Sequence, residues 1–212
     1  MAEKSFWSDK KDKEWISNFL FYYGKYIIAA ILLIIIIVWA TVSCVQKIEY
    51  DCEIYYMSDS HFESKVYDNV ENALKDVVAD ANGRQGVQIV FSDYTVVPEN
   101  AVSSDIDLVM TSKIHAEIAA GHGYLYIMNE QWNEYCVNSG LMEDISAYTG
   151  EPGPVYSYEV TDNAFLNELG VKNKGKLYAA VRMLNNDRLN NKLEINRHNN
   201  AIKVLKYIIE NN

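Results

Sequence analysis

The longest apolar run in the chain lies between Lys25 and Lys47. Tyr26 to Gln46 carries no charge and centres on Ile31, Leu32, Leu33, Ile34, Ile35, Ile36, Ile37 and Val38. As a helix these residues rise roughly 31 Å, the thickness of a bilayer's hydrocarbon layer. The pattern therefore predicts a transmembrane helix over 26–46. Isoleucine is an indifferent helix former in water, but lipid offers the backbone no hydrogen-bond partner, so the segment must satisfy its own N–H and C=O groups. Phe21, Tyr22, Tyr23 and Tyr26 at one boundary and Trp39 towards the other stand where amphipathic rings favour the headgroup region. Trp15, Phe19 and Tyr22 recur at helical spacing, so the upstream stretch continues the span or lies in the interface.

Beyond residue 47 the pattern breaks into shorter pieces. Glu53, Ile54, Tyr55 and Tyr56 form a β-prone run within 48–57. Phe62, Val66, Val70, Leu74, Val77 and Val78 then trace one helical face, with Ser60 and Glu63 at capping-box spacing and Asn82 and Gly83 as the stop. A second strand is expected over 87–91, ended by a loop from Ser92 to Pro98. Ile106, Met110, Ile114 and Ile118 recur every four residues, which predicts a helix from Ser104 to Gly121, although Ile106, Leu108 and Met110 also alternate as a strand would. Tyr124 to Met128 reads as a third strand, and Asn129 is placed to cap a short helix through Trp132, Tyr135 and Cys136 that Gly140 ends. Gly150, Glu151, Pro152, Gly153 and Pro154 mark a loop, 177–184 a late strand, and Ala201, Ile202, Leu205, Ile208 and Ile209 the buried stripe of a C-terminal helix. Alternating strands and helices imply an α/β sandwich with a mostly parallel sheet of four or five strands. The expected organisation is a cytoplasmic tail over 1–25, the span over 26–46 and an extracytoplasmic α/β domain over 47–212.

Charge adds direction. Lys4, Lys10, Lys11, Lys13 and Lys25 precede the span, whereas Lys47 and Lys65 are the basic residues among the first twenty after it. That asymmetry places the N-terminus in the cytoplasm and the following domain outside. From residue 47 onward, 14 of the 19 Lys and Arg face 25 of the 29 Asp and Glu. So acidic a domain repels phosphate backbones and anionic lipid, which excludes nucleic acid as a partner and sets the domain off the bilayer. The 3 Cys cannot build a disulfide-dense scaffold or a four-thiolate zinc site. Cys44 follows Thr41, Val42 and Ser43, a partial lipobox with Thr41 where that motif wants Leu, Val or Ile. Lipidation of Cys44 stays open, as does a bridge between Cys52 and Cys136, which requires the first strand and the third helix to meet.

Lys113, Ile114, His115, Ala116, Glu117, Ile118, Ala119, Ala120, Gly121 is followed by Tyr124 to Met128, then Trp132, Tyr135, Gly140, Leu141, Met142, Glu143, Asp144, Ile145 and Ser146. In order and spacing this stretch resembles extracellular solute-binding proteins of the type II periplasmic-binding class, in which a helix ending in a small-residue and glycine step leads to a strand, a short helix and a Gly-hydrophobic-x-Asp-Leu phrase. Only 66 residues follow Ser146, too few for a second lobe. The resemblance therefore implies a single lobe, similar to small membrane-tethered relatives in Gram-positive bacteria. It also implies ligands at the carboxyl ends of parallel strands, which makes Asn129, Glu130 and Trp132 the candidate binding residues.

No reacting group stands out. His115, Ala116, Glu117 matches the start of a zinc-deaminase motif but lacks the two thiolates that chemistry needs. His61, His115, His122 and His198 have no ligand spacing, and neither a Gly-x-Ser-x-Gly elbow nor a phosphate-cradling loop is present. The paired carboxylates Glu143 and Asp144, or Asp105 and Asp107, read as a solvated face. The expectation is a non-catalytic membrane-anchored module, without cofactor or metal, that binds a peptide, protein or other cell-envelope partner. The alternatives are capture of a small solute for a transporter, or an envelope enzyme with an unrecognised site.

Overall fold

A computed structural model describes residues 10–45, 49–58, 62–83, 86–95, 105–121 and 123–212. It divides into two compact units, residues 1–48 and 49–212. The first is built on one helix, α1 (Lys10–Val45). Within it, Ser17–Thr41 has a mean hydropathy of 2.3 over its most apolar stretch, and none of that stretch is buried. The helix is long and apolar enough to cross a membrane. A signal sequence passes the same test of length and composition. Helical structure begins well before the expected Tyr26, so the aromatic residues from Phe19 to Tyr26 lie on the same continuous helix.

The second unit comprises β1 (Cys52–Ser58), α2 (Ser64–Leu74), β2 (Ile89–Thr95), α3 (Asp105–Ala120), β3 (Leu125–Asn129), α4 (Glu130–Asn138), α5 (Ser146–Thr149), β4 (Tyr158–Glu159), α6 (Ala164–Leu169), β5 (Leu177–Val181) and α7 (Lys192–Glu210). A short 3₁₀ turn, Asn186–Arg188, precedes α7. The sheet runs β2-β1-β3-β5-β4. Strand side chains alternate between faces. Ile54, Tyr56, Leu125 and Ile127 pack with Val70 and Leu74 of α2 and Val204, Leu205 and Ile208 of α7. Tyr55, Met57, Tyr126 and Met128 pack with Ile114 and Ile118 of α3 and Trp132 and Cys136 of α4. The result is the expected α/β arrangement with helices on both faces.

The mostly parallel sheet requires correction: the sheet is mixed. β1 pairs in parallel with β2 and β3, but β5 lies antiparallel between β3 and β4. Antiparallel neighbours need no crossover along the face of the sheet. β4 and β5 are consecutive strands joined through α6 and pair in that way at the sheet edge. β3, whose parallel partner is β1, takes β5 antiparallel on its other side. Two boundaries also differ. β2 runs on through Ser92, Asp93 and Tyr94, polar residues that its place at the sheet edge tolerates, with Asp93 accepting from the Tyr67 hydroxyl at 3.0 Å. α2 closes at Leu74 because its last turn tightens, Val77 and Val78 both donating to the Leu74 carbonyl. Ser60, Ser104, His61 and His122 lie outside the described residues.

Cys52 belongs to the cluster under α2 and α7 and Cys136 to the cluster under α3 and α4, so the sheet stands between them and both thiols are free. Burial pushes each thiol up to about 12, which makes both poor nucleophiles.

Gly123, at the entry to β3, has a packing reason. A Cβ there would lie 2.7 Å from the Tyr55 ring. That buried ring meets Tyr94 and Tyr126 edge-on, both at 5.4 Å between centroids, so it has nowhere to retreat. Gly123→Ala is expected to destabilise the domain by about 1–3 kcal/mol through overpacking, read as a lower urea midpoint by circular dichroism.

Candidate functional site

Open α/β sheets bind ligands beyond the carboxyl ends of the strands, where successive connections leave in opposite directions. Here that point lies between β1 and β3. Ser58 ends β1 and is fully buried, its hydroxyl donating to Asn173 Oδ1 at 2.9 Å. Asn129 ends β3 and caps α4, Oδ1 accepting from the Trp132 amide at 3.0 Å. Asn173, Gly175 and Lys176, just before β5, complete a shallow notch of about 240 Å³ with Asn129, Glu130 and Gln131. Glu159, Tyr178 and Glu130 raise the pKa of Lys176, whose ammonium lies 3.8 Å from Glu159. Of the three expected binding residues, the structure brings Asn129 and Glu130 together at this notch. Trp132 instead turns into the sheet face under α3, its ring 5.4 Å from that of His115.

The opposite end of the sheet holds a cluster of buried polar groups. Asp51, fully buried ahead of β1, accepts from the amides of Ala81, Asn82 and Gln88 at 2.8, 3.2 and 2.7 Å. Asn200 of α7 donates to the carbonyls of Asp51 and Ala79 and accepts from the Ala79 amide. Together they tie the connection from α2 to β2 to both the central strand and the last helix.

Beside them Glu194 gathers three donors: the Tyr124 hydroxyl at 2.7 Å, Arg188 at 3.0 Å and Arg197 at 2.8 Å. Arg188 also donates to the carbonyls of Ala120 and Gly121 and so closes the C-terminus of α3, while Arg197 donates to the Tyr50 carbonyl at 2.7 Å. Burial acts against the Glu194 carboxylate, but the hydrogen bonds from Tyr124 and Arg197 and the two guanidinium charges outweigh it and hold its pKa below the ordinary value. Burial and the bond to Glu194 push the Tyr124 phenol up to about 12. His198 packs edge-on against Tyr124, and its Nε2 lies 2.6 Å from Glu143 without hydrogen-bond alignment.

The carboxylates at 143 and 144 do not share a site. Glu143 faces His198, whereas Asp144 accepts from the amides of Ser146 and Val155, which lower its pKa and pin the loop around Gly150. His115 and His198 sit on opposite faces of the sheet, beside Trp132 and Tyr124 respectively. Among the described residues, no three His, Cys, Asp or Glu side chains gather as metal ligands. The side chains of Asp105 and Asp107 lie outside what the structure describes.

A larger groove, about 460 Å³, runs along α7. Asn196, Asn199, Lys203 and Lys206 form one wall, and Ala79 to Ala81 with Tyr148 the other. Sequence reasoning passed over this end. The available signal was the spacing of Asn191 to Glu194, that of a capping box, and Asn191 does accept from the amides of Leu193 and Glu194. No family model, curated protein or solved structure matches the chain.

Because the Glu194 pKa is lowered on folding, its share of the stability is present above the unfolded carboxyl value, near 4.5, and is lost as pH falls through the folded value. Glu194→Gln is expected to cost about 3 kcal/mol near pH 7 by leaving the part-buried Arg188 and Arg197 without their carboxylate. It is also expected to flatten the fall in stability below about pH 4.5, which urea unfolding at several pH values measures.

Proposed function

We propose that the chain is a single-pass, membrane-anchored binding module whose α/β domain engages a protein or peptide partner of the cell envelope on the extracytoplasmic side, without catalysing a reaction. The observation that carries this reading is the Ser17–Thr41 segment, whose most apolar stretch has no buried share. Each large apolar side chain held in water instead of an apolar environment costs about 1.5–3 kcal/mol. Leu32 to Val38 are seven such residues in succession, each more than half exposed. Lipid is the environment that removes this cost.

Five lysines before the apolar run against two in the twenty residues after it support a cytoplasmic N-terminus. A surface partner is favoured over an enclosed small solute because the notch at Asn129 and Glu130, about 240 Å³, and the groove along α7, about 460 Å³, are both open to solvent, whereas small ligands are held in clefts that bury most of their surface. The likeness to one lobe of a type II periplasmic-binding protein rests on the stretch that forms α3, β3 and α4, with Asn129 opening α4 at the carboxyl end of a strand parallel to β1.

Sidedness tests the reading. Protease added to intact cells is expected to destroy an epitope appended after Asn212 and to spare one placed before Met1. A protected C-terminal epitope with a digested N-terminal one would reverse the topology. Protection of both would place the domain inside the cell.

A further inference from the structure

We propose that the groove along α7 is the docking site for an extended acidic peptide segment of the partner, an inference that rests on the binding-module reading above. The argument begins with charge. In a domain where acidic residues far outnumber basic ones, Lys203 and Lys206 stand on one wall of the same groove. The ion pairs among the described residues engage Lys176, Arg188, Arg197 and His198, and neither of these two ammonium groups has a carboxylate within 4.0 Å. Lys206 lies over the Tyr148 ring at 4.4 Å, which limits the rotamers it must give up on binding.

The same wall carries the complement to a peptide backbone. Asn196 and Asn199 precede the lysines at helical spacing; Asn196 Nδ2 donates to the Ala81 carbonyl across the groove at 3.4 Å, while the exposed Asn199 amide offers one acceptor and two donors, the pairing that an extended peptide's own N–H and C=O groups require. From Asn196 to Lys206 the helix rises about 15 Å, the length of four or five extended residues at about 3.3 Å each. The groove is preformed, since Asn200 fixes residue 79 against α7 through two hydrogen bonds. Asp80, on the facing wall, turns Oδ1 back to accept from the Gly83 amide at 2.6 Å, which directs that oxygen towards its own turn. Lysine–carboxylate pairs at such an open site are screened by salt, so binding weakens as ionic strength rises.

Fluorescence anisotropy of a labelled five-residue peptide of alternating Asp and Glu, titrated against the full chain in nanodiscs of neutral lipid, tests this directly. The expected result is saturable binding that the pair Lys203→Ala and Lys206→Ala weakens by about tenfold, that Lys65→Ala in the first turn of α2 leaves unchanged, and that the matching Asn and Gln peptide does not reproduce. Both lysines are solvent-exposed, and circular dichroism of the double variant verifies its fold. Absence of saturable binding, equal affinity for the uncharged peptide, or an unaltered affinity in the double variant would overturn the proposal. None of these outcomes depends on which side of the membrane the domain occupies, so the groove and the topology stand or fall separately.

Discussion

An apolar helical stretch long enough to cross a membrane is the constraint on which the account depends. The domain's own hydrophobic groups are already committed. The two faces of its sheet are closed by α2 and α7 on one side and α3 and α4 on the other, and the largest buried side chains all lie within residues 49–212. The apolar stretch of α1 is long and apolar enough to cross a membrane, and a helix is the form in which a single segment can enter lipid without stranding its backbone hydrogen bonds.

The folded unit distributes its chemistry unevenly between the two ends of the sheet. At the carboxyl ends of β1 and β3, where α/β sheets commonly hold ligands, Ser58 is bonded to Asn173 and only a shallow notch remains. At the amino ends, Asp51, Asn200 and Glu194 satisfy backbone amides, carbonyls and guanidinium groups from five separate stretches of chain. These buried groups hold the ends of α2, α3 and α7 in register, and a half-satisfied version of the network would be worse than an apolar one. Their arrangement is that of a clasp rather than of an acid–base site, because each carboxylate already has fixed donors. The open groove beside the clasp is bounded by an element, α7, whose position the clasp sets.

Much of the fold was legible because it depends on local periodicity. The four-residue spacing of Ile106, Met110, Ile114 and Ile118 yields α3, Asn129 caps α4 as its position suggests, and the stripe from Ala201 to Ile209 lies on α7. What was not legible depends on distant pairing. Tyr158–Glu159 is too short to announce a strand and exists because β5 offers it an edge, and the antiparallel direction of β5 rests on its pairing with β3 and β4, which no local pattern records. Ser92 and Asp93 read as loop but extend β2 because β1 offers them a partner through Thr95. For the site, Asn129 and Glu130 were placed by the chain order of strand and helix. Trp132 lies in the core, two residues further round α4 than Glu130. Glu194 and Asp51 were invisible for the same reason as β4: their partners lie 70 residues away at Tyr124 and 30 or more at Ala81 and Gln88.

The most direct measurement is alkaline carbonate extraction of membranes from cells producing the full chain, followed by intact mass of the extracted and pelleted species. An anchoring α1 predicts that the chain stays in the pellet with the mass of all 212 residues. Release into the supernatant, or a pelleted species lacking the residues of α1, would contradict the account.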